Sequence, residues 1–178
     1  MRAWGREFQA SGWWHSFELP DGRRIEGANS IEGLERRAAV FPIAPDLAGK
    51  RVLDIGAWDG WFSFEMERRG AEVVAVDCVD NRNFREIHLK HPLLALERIC
   101  ALTRDLAVVQ TFVTADAGPP AMQFYETHEL GGQFDNWVGP NLACVLAWCR
   151  MAGFRNVNLL NVDDHDAAVA CYRAVGQP

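Results

Sequence analysis

Asp54-x-Gly56-x-Trp58-x-Gly60, together with Asp77, is the stretch whose residue types and spacing can do chemistry. A glycine-bearing turn directly after a strand lets a ligand approach the backbone, with the amides of the next helix N-terminus facing it. A carboxylate at the tip of the following strand can accept both hydroxyls of a ribose. Asp77 follows Gly60 by 17 residues, close to the spacing of about 20 expected of a nucleoside reader. The glycines do not follow the G-x-G-x-x-G order of a pyrophosphate-binding turn. A nucleoside is the ligand class the turn and Asp77 suggest, with a purely packing glycine turn and a nicotinamide-cofactor site as the alternatives.

The elements that must hold these residues can be read on both sides of the turn. Residues 51–55 form a short apolar run bounded by charge and glycine, as a buried parallel strand does. Residues 61–69 carry helical spacing, and Gly70 stands where a helix-ending glycine belongs. Residues 72–76 are a second β-branched run ending on Asp77, which completes a right-handed βαβ unit. Upstream, residues 14–19 alternate, Pro20-Asp21-Gly22 makes a turn, and residues 23–27 return as a hairpin arm. Asn29 or Ser30 caps a helix over residues 31–40, with Ile31, Leu34 and Ala38 inward. Downstream, Pro92 opens a helix through Thr103, and residues 106–113 read as a strand. Residues 114–140 form a long Gly-, Pro- and aromatic-rich connection, a length usually reserved for functional loops. Pro140 precedes an amphipathic helix through Met151, and residues 156–162 and 167–175 make a terminal antiparallel hairpin.

Chemistry-bearing side chains outside the turn are fewer. His15, His88, Tyr125 and His128 are the candidates to take a proton from an acceptor. Trp14, Glu126 and Trp137 are candidate substrate contacts, with Asp135 beside them. The acidic tip Asp163-Asp164-His165-Asp166 and the pair His88-x-x-His91 are too sparse for a metal site. Five scattered cysteines without C-x-x-C spacing read as reduced core thiols.

At 178 residues the chain suits one soluble domain with its own core. Within it, residues 1–48 are expected as an accessory lid over a domain at 49–178, with 114–140 as the substrate loop. A net charge of −6 argues against a wide phosphate footprint and for a small-molecule acceptor over tRNA. No apolar run approaches a membrane span and the first residues lack a signal-peptide core, so no membrane partner and a cytoplasmic location are expected. A homodimer is left open.

The order acid, then glycines at alternate positions, resembles motif I of class I S-adenosylmethionine-dependent methyltransferases, with Trp58 in place of the middle glycine. More narrowly, the chain is similar to the family that includes the tRNA wobble uridine-5-oxyacetate methyltransferase. Four blocks carry this: Gly12-Trp13-Trp14-His15 with Pro20-Asp21-Gly22, residues 49–77, Leu89-Lys90-His91-Pro92-Leu93-Leu94, and residues 136–154. The resemblance implies a Rossmann-like α/β methyltransferase fold and S-adenosyl-L-methionine as cofactor. Asp54, Gly56, Ala57, Trp58, Asp59 and Gly60 would shape the cofactor turn, with Asp77 and Cys78 at the next strand tip. His88 falls in the place of the family's Tyr-His histidine, with Ile87 in the tyrosine's. His91 follows Asp77 by only 14 residues, where a strand, helix and strand need roughly 25–40. The third and most of the fourth family strand are therefore expected to be missing. Neither the tryptophan nor the lysine of a carboxymethyl-donor site occurs between Gly22 and Ala48. An ordinary methyl donor is the implication, and a catalytically silent nucleoside-binding protein is the alternative.

Overall fold

Two blocks of secondary structure, each with its own core, divide the chain at Ile87 and His88. The computed structural model describes residues 12–77, 91–130, 137–163 and 165–173.

In the first unit, β1 (Phe17–Glu18) and β2 (Arg24–Ile25) form a short antiparallel ribbon. Its turn is closed by Gly22 at φ 81° and by Asp21, whose carboxylate takes the Arg23 backbone amide and side chain. Beyond β2 the chain crosses over its own beginning. Asn29 N–H donates to Trp14 O at 2.8 Å and Ser16 N–H to Asn29 O at 2.9 Å. Gly27 is needed at this crossing, because a Cβ there would lie 2.4 Å from the His15 carbonyl carbon. Helix α1 (Ile31–Ala39) starts at Ser30, whose Oγ accepts the Gly33 N–H at 3.1 Å. Leu34 and Ala38, one turn apart, bury together against Trp61, with Phe17 and Phe62 at the margin.

Strands β3 (Arg51–Ile55) and β4 (Glu72–Val76) pair in parallel, Arg51 opposite Glu72 and Ile55 opposite Val76, with α2 (Trp61–Arg68) as the crossover. Helix α2 turns Trp61, Ser63 and Met66 inward. Glu65 receives both Arg68 and Arg69, and the Arg68 guanidinium, then that of Arg69, holds its carboxyl below the usual range. Leu53, Ile55, Val74 and Val76, opposite one another in the register, are exposed.

The second unit contains α3 (Pro92–Leu102), β5 (Leu106–Phe112), β6 (Met122–Phe124), β7 (Val138–Pro140), α4 (Leu142–Met151), β8 (Asn156–Val162) and β9 (Asp166–Tyr172). Its main sheet runs β5-β9-β8, antiparallel throughout. Central β9 is buried from Ala167 to Cys171, and Val169 and Cys171 pack with Leu96 and Cys100 of α3 and Val145 and Cys149 of α4. A thiol hydrogen bond between Cys149 and Cys171 draws the first thiol down and, with burial, pushes the second up. The sheet crossing that the sequence leaves as an open connection at 114–140 is partly a ribbon, since β6 pairs antiparallel with β7. Buried Asn141 stitches it to α4: Oδ1 accepts from Cys144 and Ala121, and Nδ2 donates to Pro119 O. Residues 78–90, on which the expected shortfall of strands rests, lie outside the described residues. Among the described residues no helix is long and apolar enough to cross a membrane.

Candidate functional site

The turn between β3 and α2 owes its shape to three left-handed residues at alternate positions: Gly56 (φ 76°), Trp58 (φ 54°) and Gly60 (φ 86°). Glycine adopts that conformation freely, but for tryptophan it costs about 1–2 kcal/mol. Trp58 is the one non-glycine residue with positive φ among the described residues, and such outliers gather at functional sites.

The amides of the turn point to what it can bind. Gly56 and Ala57 N–H both reach Val76 O, at 2.9 and 3.3 Å, and Trp58 N–H donates to the Asp77 carboxylate. Gly60 N–H closes on Ala57 O at 2.8 Å. With these donors committed within the protein, the first half of the turn is no phosphate nest. The same bonds tie the tips of β3 and β4 together and lay the Asp77 side chain against the turn. Asp54, on β3, is held from the other side by Ser63 Oγ at 2.6 Å.

Asp59 has a different engagement. Its Oδ2 accepts the backbone amides of Trp14 and His15, both at 2.9 Å, and its Oδ1 meets His15 Nδ1. The segment entering the β1–β2 ribbon is thereby clamped onto the turn. His15 is only 7% exposed, and its ring stands edge-on to Phe62. Trp14 tilts against Trp58 with ring centroids 5.7 Å apart. Trp14, His15, Asp54, Gly56, Ala57, Trp58, Asp59, Gly60 and Asp77 therefore belong to one neighbourhood of the first unit.

Tyr125, Glu126, His128 and Trp137 belong to the second unit. Tyr125 N–H donates to Trp137 O at 3.1 Å, and the half-buried Tyr125 ring lies over Gly139. Glu126 and His128 are exposed. Cys78, His88 and Asp135 lie outside the described residues. The clamp is invisible in the sequence: Asp59 reads there as part of the cofactor turn and His15 as one of four bases, and residues 44 positions apart carry no spacing signal that joins them.

No family model matches the chain. Over 104 residues it is 28% identical to phosphoethanolamine N-methyltransferase 1 of Triticum aestivum, a stretch covering 58% of this chain and 18% of that protein. Over 78 residues it is 32% identical to the Arabidopsis thaliana protein of the same name, covering 43% of this chain and 16% of the relative. The chain thus matches less than a fifth of the length of these curated relatives. Among solved structures, the N-terminal domain of EvdMO1, in the presence of SAH and D-fucose, is 17% identical with a TM-score of 0.54 and covers 92% of each chain. The same domain with SAH bound gives a TM-score of 0.52, again over 92% of each chain. The chain has a methyltransferase-like α/β fold.

Proposed function

We propose that this chain is an S-adenosylmethionine-dependent methyltransferase acting on a small-molecule acceptor. One observation carries the reading: the Asp77 carboxylate is laid against the Gly56–Gly60 turn, where it takes the Trp58 amide. A group that can bind a sugar diol and a backbone bend that admits an amino-acid tail are thereby side by side. The relatives named as methyltransferases and the EvdMO1 domain with SAH support it.

The cofactor would supply a methyl group on a positively charged sulfur, already activated for transfer. The work of the chain is then binding, orientation and exclusion of water. Asp77 would hold the ribose. Gly56, left-handed and exposed, leaves room for the amino-acid end. Trp14 and Trp58 offer aromatic faces, which attract a cation by about 0.5–2 kcal/mol. The narrower likeness to the wobble-uridine family would bring a tRNA acceptor, and against it stands the net charge of −6.

Calorimetry with S-adenosylhomocysteine tests the pocket. Asp77→Ala is expected to weaken binding by roughly 10- to 100-fold, the worth of charge-assisted hydrogen bonds. Failure of the intact chain to bind, or equal binding by the variant, would sink the reading. Phosphoethanolamine and D-fucose are the first acceptors to offer with S-adenosylmethionine.

A further inference from the structure

We infer that His15 and Asp59 form an imidazole–carboxylate dyad whose free corner, Nε2 of His15, takes the proton of an acceptor hydroxyl. The inference rests on the methyltransferase reading and deepens it by naming the base and the acceptor class.

The clamp determines how the imidazole is presented. Asp59 accepts the Trp14 and His15 backbone amides on one oxygen and His15 Nδ1 on the other, so side chain and backbone of His15 are held by one carboxylate. Nδ1 carries the hydrogen of that bond, which leaves the lone pair of the neutral ring on Nε2. Phe62 against the ring and Gly27 against the His15 backbone keep both in place. His15 is more than nine-tenths buried, yet among the described residues Nε2 meets no hydrogen-bond partner. Buried polar atoms in folded proteins are nearly always paired, so an unpaired one asks for a ligand. Docking the segment would need only the two backbone amides. The imidazole is surplus to that task. Trp14, the preceding residue, stands 41% exposed with its ring tilted against Trp58, an aromatic face on which a ring-bearing alcohol or phenol can rest.

Hydroxyl acceptors are the class that needs this arrangement. A neutral amine attacks with its own lone pair, whereas a hydroxyl must shed its proton as the new bond forms. The acceptor oxygen would gain the methyl carbon, the carbon–sulfur bond would break with its electron pair left on sulfur, and the hydroxyl proton would pass to Nε2. Asp59 is then a positioning residue, orienting the ring without touching the acceptor.

The first test reads the ring directly. Nitrogen-15 NMR of the full chain should find the His15 ring with its hydrogen on Nδ1 and Nε2 bare, and Asp59→Asn should abolish that preference. A ring with its hydrogen on Nε2 overturns the proposal. The second test offers S-adenosylmethionine with catechol and D-glucose as hydroxyl probes and phosphoethanolamine as the amine. His15→Gln should lower transfer to a hydroxyl probe by 100-fold or more, with the S-adenosylhomocysteine affinity within twofold of the parent. Asp59→Asn should lower it at least tenfold, and Asp59→Glu should recover part of the loss. Undiminished transfer by His15→Gln, or transfer to the amine alone, overturns the dyad while the methyltransferase reading stands. Loss of S-adenosylhomocysteine binding by the parent chain removes the underlying reading instead.

Discussion

The two units solve the burial of their chain in opposite ways. Among the described residues, the second gathers nine buried ones into one apolar cluster around β9, α3 and α4, so its stability is chiefly a matter of packed area. The first has a cluster of three, Leu34, Ala38 and Trp61, and invests in directed bonds: Asp77 to the Trp58 amide, Asp54 to Ser63, Asp59 to three nitrogens of Trp14 and His15. Non-directional packing tolerates small displacements. Hydrogen bonds of fixed length and angle do not, which is what a binding turn requires. The difference teaches that one unit holds a strained turn in place by directed polar bonds, while the other is held by apolar packing.

Substitutions can break or sharpen that contrast, the largest effect first. Phe154→Ala, at a position 3% exposed in the larger cluster, should cost about 3–5 kcal/mol in urea unfolding. Leu34→Ala, 1% exposed but in a cluster of three, should fall nearer the low end of the leucine range, about 2–3 kcal/mol. An equal or larger loss at Leu34 would remove the claim that packing matters less in the first unit.

Asp59→Ala strands two backbone amides and the His15 ring, and about 1–3 kcal/mol should go with them. If the unfolding midpoint stays where it was, the clamp contributes nothing to the fold. Trp58 tests strain directly. Trp58→Gly and Trp58→Ala both lose the ring contact with Trp14, but only glycine relaxes at φ 54°. The glycine variant should therefore be the more stable of the two by about 1 kcal/mol.

The smallest effect belongs to Glu65. Its folded carboxyl is held low by Arg68 and then Arg69, so the group binds protons less readily folded than unfolded. The stability it lends is present above the unfolded value, in the ordinary carboxylate range, and is lost as pH falls through the lowered folded one. Glu65→Gln should cost no more than about 1 kcal/mol at pH 7, because Arg68 is largely exposed and screened. Parent and variant should converge as pH falls through the lowered folded value, and a gap that does not narrow in acid would assign the loss to packing.

Much of the first unit was legible from periodicity. The β-branched runs of β3 and β4, the helical spacing between them and the position of Asp77 are local properties, and the structure has them at 51–55, 61–68 and 72–76. Ser30, Leu34 and Ala38 were readable because a cap and an apolar stripe lie within one helix. The β6–β7 ribbon was not. Its strands are three residues each, one ends in Gly-Pro, and the paired residues stand 14 or more positions apart. Nothing in the neighbours of Asn141 marks it, and only the folded chain makes it the stitch between residues 118–121 and α4.

Residue order by itself determined the strand–turn–helix–strand unit and where its acid falls, because hydrophobic rhythm and glycine placement act over a few neighbours. Tertiary structure alone decided that Trp58 would occupy a left-handed position, that its amide and those of Gly56 and Ala57 would be used up on the tip of β4, and that Asp59 would reach back to His15. Those outcomes depend on which distant groups arrive at hydrogen-bonding distance. A chain encodes that only through its whole fold.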